Sequence, residues 1–572
     1  MKGKQSKMSD LFMKGKQLKI SSLFTKSKQS RLLAVLLVAV LVLSACGGSA
    51  SKTDDKKDEV KAGEKQDITV IKNTDLLSMD SALATDGTSF EVLGAVQEGL
   101  YVLGENGTEL EALVDKAEIS EDGLTYKFTL KDAKWSNGDP ITANDFVFAW
   151  RRLVDPKTAS DYAFIADTAG ILNAAEISEG KKKPEELGAK ALDDKTLEVK
   201  LYKAVPFFKK ILAFGSFLPQ NEKYVTEKGA DYAKTPENMI YSGPFKMTEW
   251  VAGNRFKAVK NENYHDAKAV KLNSITWKVA KDYQTAALEF DTGAADFVRI
   301  SGELIDKYKG DPKLEQALGG YLWYLVSGPK VKELDNSNLK LAIANAIDRD
   351  ELSNSVLKDG AKGAWGFIPK SLAASPSGTD FREDAKEEFF KEGPEKAKEY
   401  GKKAFEELGI DKLELELLFE DAEESKKVAE YLQNDIQEDI DGLTITLKSQ
   451  PKKSRLKLQQ DGDFQLSLHR WGPDYPDPMT YMELYLKESS SNYDKYYDPK
   501  YQELVELASS GKQTPEERWE TMIEAEKVLL EKGLGPIPVY QVGATTLWNP
   551  RVKGWVYNLT GASYYYKNAY VE

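Results

Sequence analysis

Two carboxylates three residues apart, Asp474 and Asp477, stand in Trp471-Gly472-Pro473-Asp474-Tyr475-Pro476-Asp477-Pro478, beside two aromatic side chains. Paired acids can serve a glycosidase, hold a cation or receive an ammonium group. Proline at 473, 476 and 478 limits the backbone, so the carboxylates have few ways to rearrange. Calcium is disfavoured because the D-x-[DN]-x-[DN]-G spacing is missing. The same two acids could do no more than order Asp-Tyr and Asp-Pro turns, and these residues alone leave that open. Nucleophilic catalysis has little to work with: one cysteine, Cys46, two histidines, His265 and His469, and no G-x-S-x-G segment. His265, in Asn263-Tyr264-His265-Asp266, reads as part of a surface turn. The chain is therefore not expected to be an enzyme, and no cofactor or metal is expected.

The segment that carries these acids follows Phe464-Gln465-Leu466-Ser467-Leu468-His469, whose alternation reads as a strand. Alternation also marks strands at Thr125 to Leu130, Thr196 to Leu201, Leu413 to Leu417 and Leu443 to Leu447. Helical patterns lie at Asn144 to Leu153, Leu339 to Ile347, Pro394 to Leu408 and Pro515 to Leu530, the last two opened by a first-turn proline. Strands and helices interleaved over 572 residues predict an α/β protein of more than one lobe.

The first 31 residues carry nine basic side chains against one acid, and twelve apolar residues, Leu32 to Leu43, follow. As a helix that run rises only about 18 Å against roughly 30 Å of hydrocarbon, so it reads as the apolar part of a secretory signal and not as a membrane span. Leu43-Ser44-Ala45-Cys46 resembles the lipobox of bacterial lipoprotein precursors. That resemblance implies cleavage before Cys46, diacylglycerol on its thiol, and attachment to the outer face of a cell membrane, as on a Gram-positive bacterium. Residues 46–66 are small and charged, which reads as a flexible tether. The net charge is −13, and removal of a leader of +8 leaves −21, a poor match to nucleic acid.

Lys134-Trp135-Ser136-Asn137-Gly138-Asp139-Pro140-Ile141-Thr142-Ala143-Asn144-Asp145-Phe146 resembles the signature of the extracytoplasmic solute-binding proteins of peptide ABC transporters. Its physical content is a turn at Asn137-Gly138 and a helix cap at Thr142 or Asn144. Tyr241 to Phe245, Ala344 to Arg349 and Gly363 to Pro369 are similar to further segments of that family in the same order. The resemblance implies a two-lobed periplasmic-binding-protein-like fold with an extra subdomain in the first lobe. Its boundaries would be a signal over 1–45, a tether over 46–66, a first lobe from 67–99, 220–320 and 537–572, the subdomain at 100–219, and a second lobe at 321–536.

The resemblance also implies a monomer that captures an oligopeptide between its lobes and hands it to permease subunits. Asp474 matches the aspartate that binds the peptide's α-ammonium, and Trp471 would be a wall of the pocket. Peptide main chain would meet Leu466, Ser467, Leu468 and His469 on one side and Asp86, Gly87, Thr88 and Ser89 on the other. Relatives carry an arginine where this chain has Leu468, so recognition of the ligand's carboxylate does not carry over. Arg470 is expected on the opposite face. Alternatives are another solute (oligosaccharide, metal or haem) or a hydrolase.

Overall fold

The computed structural model describes residues 65–572. Cys46, the signal and most of the tether lie outside them.

One sheet of eleven strands organises these residues. Across it the strands run Leu443–Gln450, Leu413–Glu420, Leu466–Trp471, Leu314–Ser327, Ile537–Trp548, Phe297–Arg299, Asp67–Lys72, Ser274–Val279, Arg255–Lys260 and Phe245–Val251, with Lys362–Gly363 added beside Ile537–Trp548. The two central strands are the longest, at 14 and 12 residues, and they alone run through both halves of the sheet. Most of Ile537–Trp548 and Leu322 to Ser327 are buried, which fits their apolar character, whereas Glu315, Gln316 and Tyr321 stand exposed. Leu314 to Leu318 pair with Gly543 to Leu547, and Leu322 to Leu325 pair with Ile537 to Gln541. Between these registers Gly319, Gly320 and Tyr321 bulge out of the ladder. Ile537–Trp548 therefore serves both halves of the sheet, and an assignment of everything after residue 536 to the first lobe is too simple.

The bulge is closely packed. A Cβ at Gly320 would sit 2.4 Å from the Leu559 carbonyl oxygen and 2.9 Å from Cδ of Pro473, and the backbone on one side cannot give way cheaply. Gly320→Ala should cost about 1–3 kcal/mol of stability. A thermal-melting midpoint within error of the parent would refute this.

A separate four-stranded sheet, Val114–Ile119, Thr125–Leu130, Thr196–Lys200 and Ala189–Ala191, lies in the expected insertion. Helix Ala143–Val154 packs on it, and the Thr142 amide donates to Asp145 at 2.8 Å at its start. Asp145 also accepts from the Trp135 indole at 3.4 Å, so the Trp135 to Phe146 segment folds upon itself. Helices Pro394–Leu408 and Pro515–Leu530 begin at their prolines. Thr514 and Glu517 close a capping box at the second, at 3.2 and 2.9 Å. One contiguous apolar core runs under both ends of the large sheet, and a smaller cluster gathers around Ile71, Phe290, Val298 and Leu547.

Candidate functional site

Strand Leu466–Trp471 ends at the acidic segment, and each following residue has a reason to be held. Gly472 faces the Tyr321 ring, which a Cβ would meet at 2.5 Å. The Tyr475 ring lies flat on Phe207, with centroids 4.5 Å apart and planes 4° apart. Its hydroxyl donates to Glu483 at 3.1 Å. The Lys210 ammonium donates to the Pro476 carbonyl at 3.2 Å. Asp477 accepts two bonds from the Arg518 guanidinium, at 2.7 and 2.9 Å, and a third from the Met479 amide at 3.1 Å. A loop fixed at so many points presents its remaining group in one orientation.

That remaining group is Asp474. Among the described residues it has no ion-pair partner; its carboxylate accepts one bond, from the Tyr162 hydroxyl at 3.4 Å. Burial pushes its carboxyl up to about 7, although the Tyr162 bond pulls the other way. The two acids of the segment thus have opposite roles. Asp477 is neutralised by Arg518 within the fold, and Asp474 keeps an unpaired carboxylate on the wall of a cavity.

This cavity is small, about 50 Å³. Phe90, Gly94 and Gln97 line it from helix Gly87–Val96 and its end, at the i, i+4, i+7 spacing of one helix face. Gly99, Tyr101 to Leu103, Lys210, Ala213 to Gly215 and Leu218 supply further walls, and Asn558, Thr560 to Ala562 and Tyr565 close it. Phe90 and Phe214 pack against each other at 4.7 Å and both touch Tyr162, at 5.6 and 5.0 Å. The tyrosine facing Asp474 is thereby held by the apolar wall. A neighbouring, larger cavity of about 360 Å³ is lined by Gln316 to Leu318, Ser371, Leu372, Pro476 and Tyr557 to Thr560. Asn558 and Thr560 border both.

The other expected site residues are placed differently. Asp86 caps helix Gly87–Val96, accepting from the Ser89 amide at 3.0 Å and its hydroxyl at 2.6 Å. Ser89 also accepts from the Ser78 amide at 3.0 Å, and Thr88 pairs with the Thr74 hydroxyl at 2.6 Å. Asp86, Gly87, Thr88 and Ser89 therefore form a helix start and do not line the cavity beside Asp474; the helix meets it further along. Leu466 and Ser467 have strands on both sides, Leu417 and Leu418 on one and Ser327 and Val326 on the other. Neither can accept an added strand. Pairing with Leu413–Glu420 stops at Ser467, which leaves Leu468 and His469 the only part of that expectation with an edge to offer.

The His469 side chain is core: it is buried, bonded to Arg455 at 2.9 Å, and set edge-on against Tyr324 and Tyr493. Trp471 is half-buried, with its carbonyl taken by Tyr481 at 3.1 Å, and borders neither cavity. Leu468 and Arg470, two apart on one strand, share a face, which corrects the expectation that they oppose each other. The Arg470 guanidinium covers Tyr321 and Trp323 at 5.7 and 5.0 Å. His265 stands in a turn, as expected, but its side chain is mostly buried and bonds Glu98 at 2.6 Å, and Tyr264 reaches the same carboxylate.

Comparison with known proteins adds the following. The sequence profile described as Bacterial extracellular solute-binding proteins, family 5 Middle, matches residues 110–493. A dipeptide-binding protein of Lactococcus lactis subsp. cremoris is 33% identical over 94% of this chain and 98% of its own length. The oligopeptide-binding protein OppA of Bacillus subtilis is 30% identical, over 95% and 99%. Among solved structures, the substrate-binding domain of an oligopeptide ABC transporter from Bacillus anthracis superposes with a TM-score of 0.74 at 39% identity, over 89% of this chain and 99% of that one. Listeria monocytogenes OppA bound to peptide gives 0.73 at 34% identity, with the same coverage.

Proposed function

The chain belongs to the bacterial extracellular solute-binding proteins of family 5, and on that premise we propose that it captures oligopeptides between two lobes and delivers them to an ABC-type permease. The observation that carries this reading is the unpaired Asp474 carboxylate beside a largely apolar cavity. A partly desolvated carboxylate without a cation is a site for one, and the α-ammonium is the cation that peptides share whatever their sequence. The reaction class is capture without chemistry. The ammonium meets Asp474, the first residue enters the adjoining cavity, and the chain continues past Asn558 toward the neighbouring one. Any strand-like pairing of the ligand is confined to the edge beyond Ser467.

Contacts across the cleft supply the closed state. Tyr162 meets Asp474, Phe207 meets Tyr475 and Lys210 meets Pro476. A peptide touching both sides of these contacts binds the closed form better and so shifts the population toward it. The lobes would turn about Leu314–Ser327 and Ile537–Trp548, where the register shift already loosens the ladder. We assign Cys46 as the lipid-bearing residue that keeps this trap near its permease. No helix among the described residues is long and apolar enough to cross a membrane.

Acetylation of a bound peptide's N-terminus tests the reading. It removes the charge and leaves every side chain, and should weaken binding at least about tenfold by calorimetry, the lower range for losing a charge-assisted bond. Equal affinity of free and acetylated peptides would remove Asp474 from the site. A co-purified sugar, with no peptide in native mass spectrometry, would overturn the function.

A further inference from the structure

Phe207 and Phe208 are consecutive, yet their rings belong to different neighbourhoods. The Phe208 ring is fully buried under the separate four-stranded sheet, 4.6 Å from the Tyr126 ring and 6.5 Å from Phe128. Phe207 turns the other way and lies flat on Tyr475, across the cleft. It is 3% exposed, and the Arg518 guanidinium stands 5.7 Å from its ring. The slot that receives it is assembled from the far side of the cleft alone. Tyr475 is held by Glu483, and Arg518 by Asp477 and by the Ala508 carbonyl at 2.9 Å. None of those bonds uses Phe207, so parting of the lobes leaves the slot formed and turns the phenylalanine ring out to water. The surfaces around the ring also fit closely. A Cβ at Gly107 would lie 2.6 Å from Cβ of Pro476, and one at Gly511 would lie 2.5 Å from Cβ of Ala204.

Resting on the peptide-binding reading above, we propose that Phe207 is the latch of the cleft, a positioning residue that holds the subdomain of the four-stranded sheet against the Asp474 loop and sets how long a bound peptide stays. Tyr475 follows Asp474 directly, and the Tyr162 hydroxyl that meets Asp474 comes from the same stretch of chain as Phe207, 100–219. Withdrawing the Phe207 ring therefore withdraws the tyrosine as well and admits water to the carboxylate. An ammonium–carboxylate pair open to water contributes little, so the peptide leaves once the latch is out. Entry needs no such step, because the ligand arrives while the cleft is open. The off-rate accordingly depends on Phe207, and the on-rate does not.

Single-molecule energy transfer between dyes on Leu192→Cys and Lys426→Cys, exposed positions on opposite sides of the cleft, reports closure of the protein in a Cys46→Ser background without added peptide. Phe207→Ala should shorten the closed dwell time about tenfold, the low end for exposing a buried phenylalanine ring. A pentapeptide chosen by native mass spectrometry from a random pool with free N-termini then gives the rates. Its off-rate should rise about tenfold in the variant while its on-rate stays within about threefold. Should the alanine variant not fold, Phe207→Leu keeps the apolar volume without the flat face and should move dwell time and off-rate several-fold in the same directions. A lower melting temperature with an unchanged dwell time and off-rate would make the residue packing alone and overturn the latch. So would an on-rate that falls as far as the off-rate rises. If nothing in the pool binds, the peptide reading falls, and the dwell time decides the latch by itself.

Discussion

Asp474→Asn should weaken peptide binding about 30-fold or more while raising the melting temperature of the ligand-free protein. The first effect is the loss of a partly desolvated charge pair, for which truncating one partner costs about 2–5 kcal/mol. The second follows from the raised carboxyl. In the unfolded chain it titrates near its ordinary value of about 3.9, and in the folded protein at about 7. Between those values the folded state holds more protons than the unfolded one, so stability falls as pH rises through that window. At neutral pH the ionised carboxylate is a net cost to the free protein, and asparagine removes the cost while keeping an oxygen for Tyr162. Binding runs the other way. The pair needs both the ionised carboxylate and the protonated amine, so affinity should be greatest between about pH 7 and the amine's own value of about 8, and decline by roughly tenfold per pH unit on either side, until other groups titrate. Calorimetry against pH and a melting curve of the variant check both halves. A variant that binds peptide as the parent does, or that melts lower, would make Asp474 an ordinary loop residue.

Local chemistry made much of the scaffold legible. Pro394–Leu408 and Pro515–Leu530 match their expected ends because proline at the first position is a backbone restriction, independent of tertiary context. Thr125–Leu130 matches because one face of its sheet is buried, which enforces alternation. Strand Leu413–Glu420 runs three residues past its expected end, since Leu418 and Phe419 are buried in succession and no longer alternate. The start of helix Gly87–Val96 was available in the sequence: an aspartate three residues ahead of Ser89 is a capping arrangement, and it describes Asp86 better than a ligand loop does. The cavity was not available in this way. Phe90, Tyr101, Phe214, Asp474 and Asn558 meet across hundreds of residues of chain, and no window of the sequence contains two of its distant walls. The same distance hid the pairing of His265 with Glu98, which are 167 residues apart.

The neighbouring carboxylate should respond in the opposite sense. Arg518→Ala should destabilise the fold by about 3–5 kcal/mol, the usual consequence of leaving one member of a buried ion pair without the other. Burial alone would raise the Asp477 carboxyl, but the Arg518 charge and its paired hydrogen bonds outweigh it, and the carboxyl lies below its ordinary value. A depressed carboxyl contributes stability that is present above about pH 4 and is lost as pH falls through the lower folded value. Once Arg518 is removed, burial dominates, the folded carboxyl rises above its unfolded value, and that acid-side loss should vanish or reverse, with stability then falling as pH rises. Thermal melts of the variant between neutral and acid pH would show it, and an unchanged midpoint would mean that the pair is neutral in net effect. Replacing both partners, Asp477→Ala with Arg518→Met, should cost less than Arg518→Ala alone, because no charge is then stranded. Since Arg518 also lies over Phe207, 5.7 Å from its ring, part of the loss should survive the double replacement. Two aspartates three residues apart are thus separable by melting temperature alone: removing the charge of Asp474 raises it, and unpairing Asp477 lowers it. That opposition is what a loop anchored at one carboxylate and open to a ligand at the other requires.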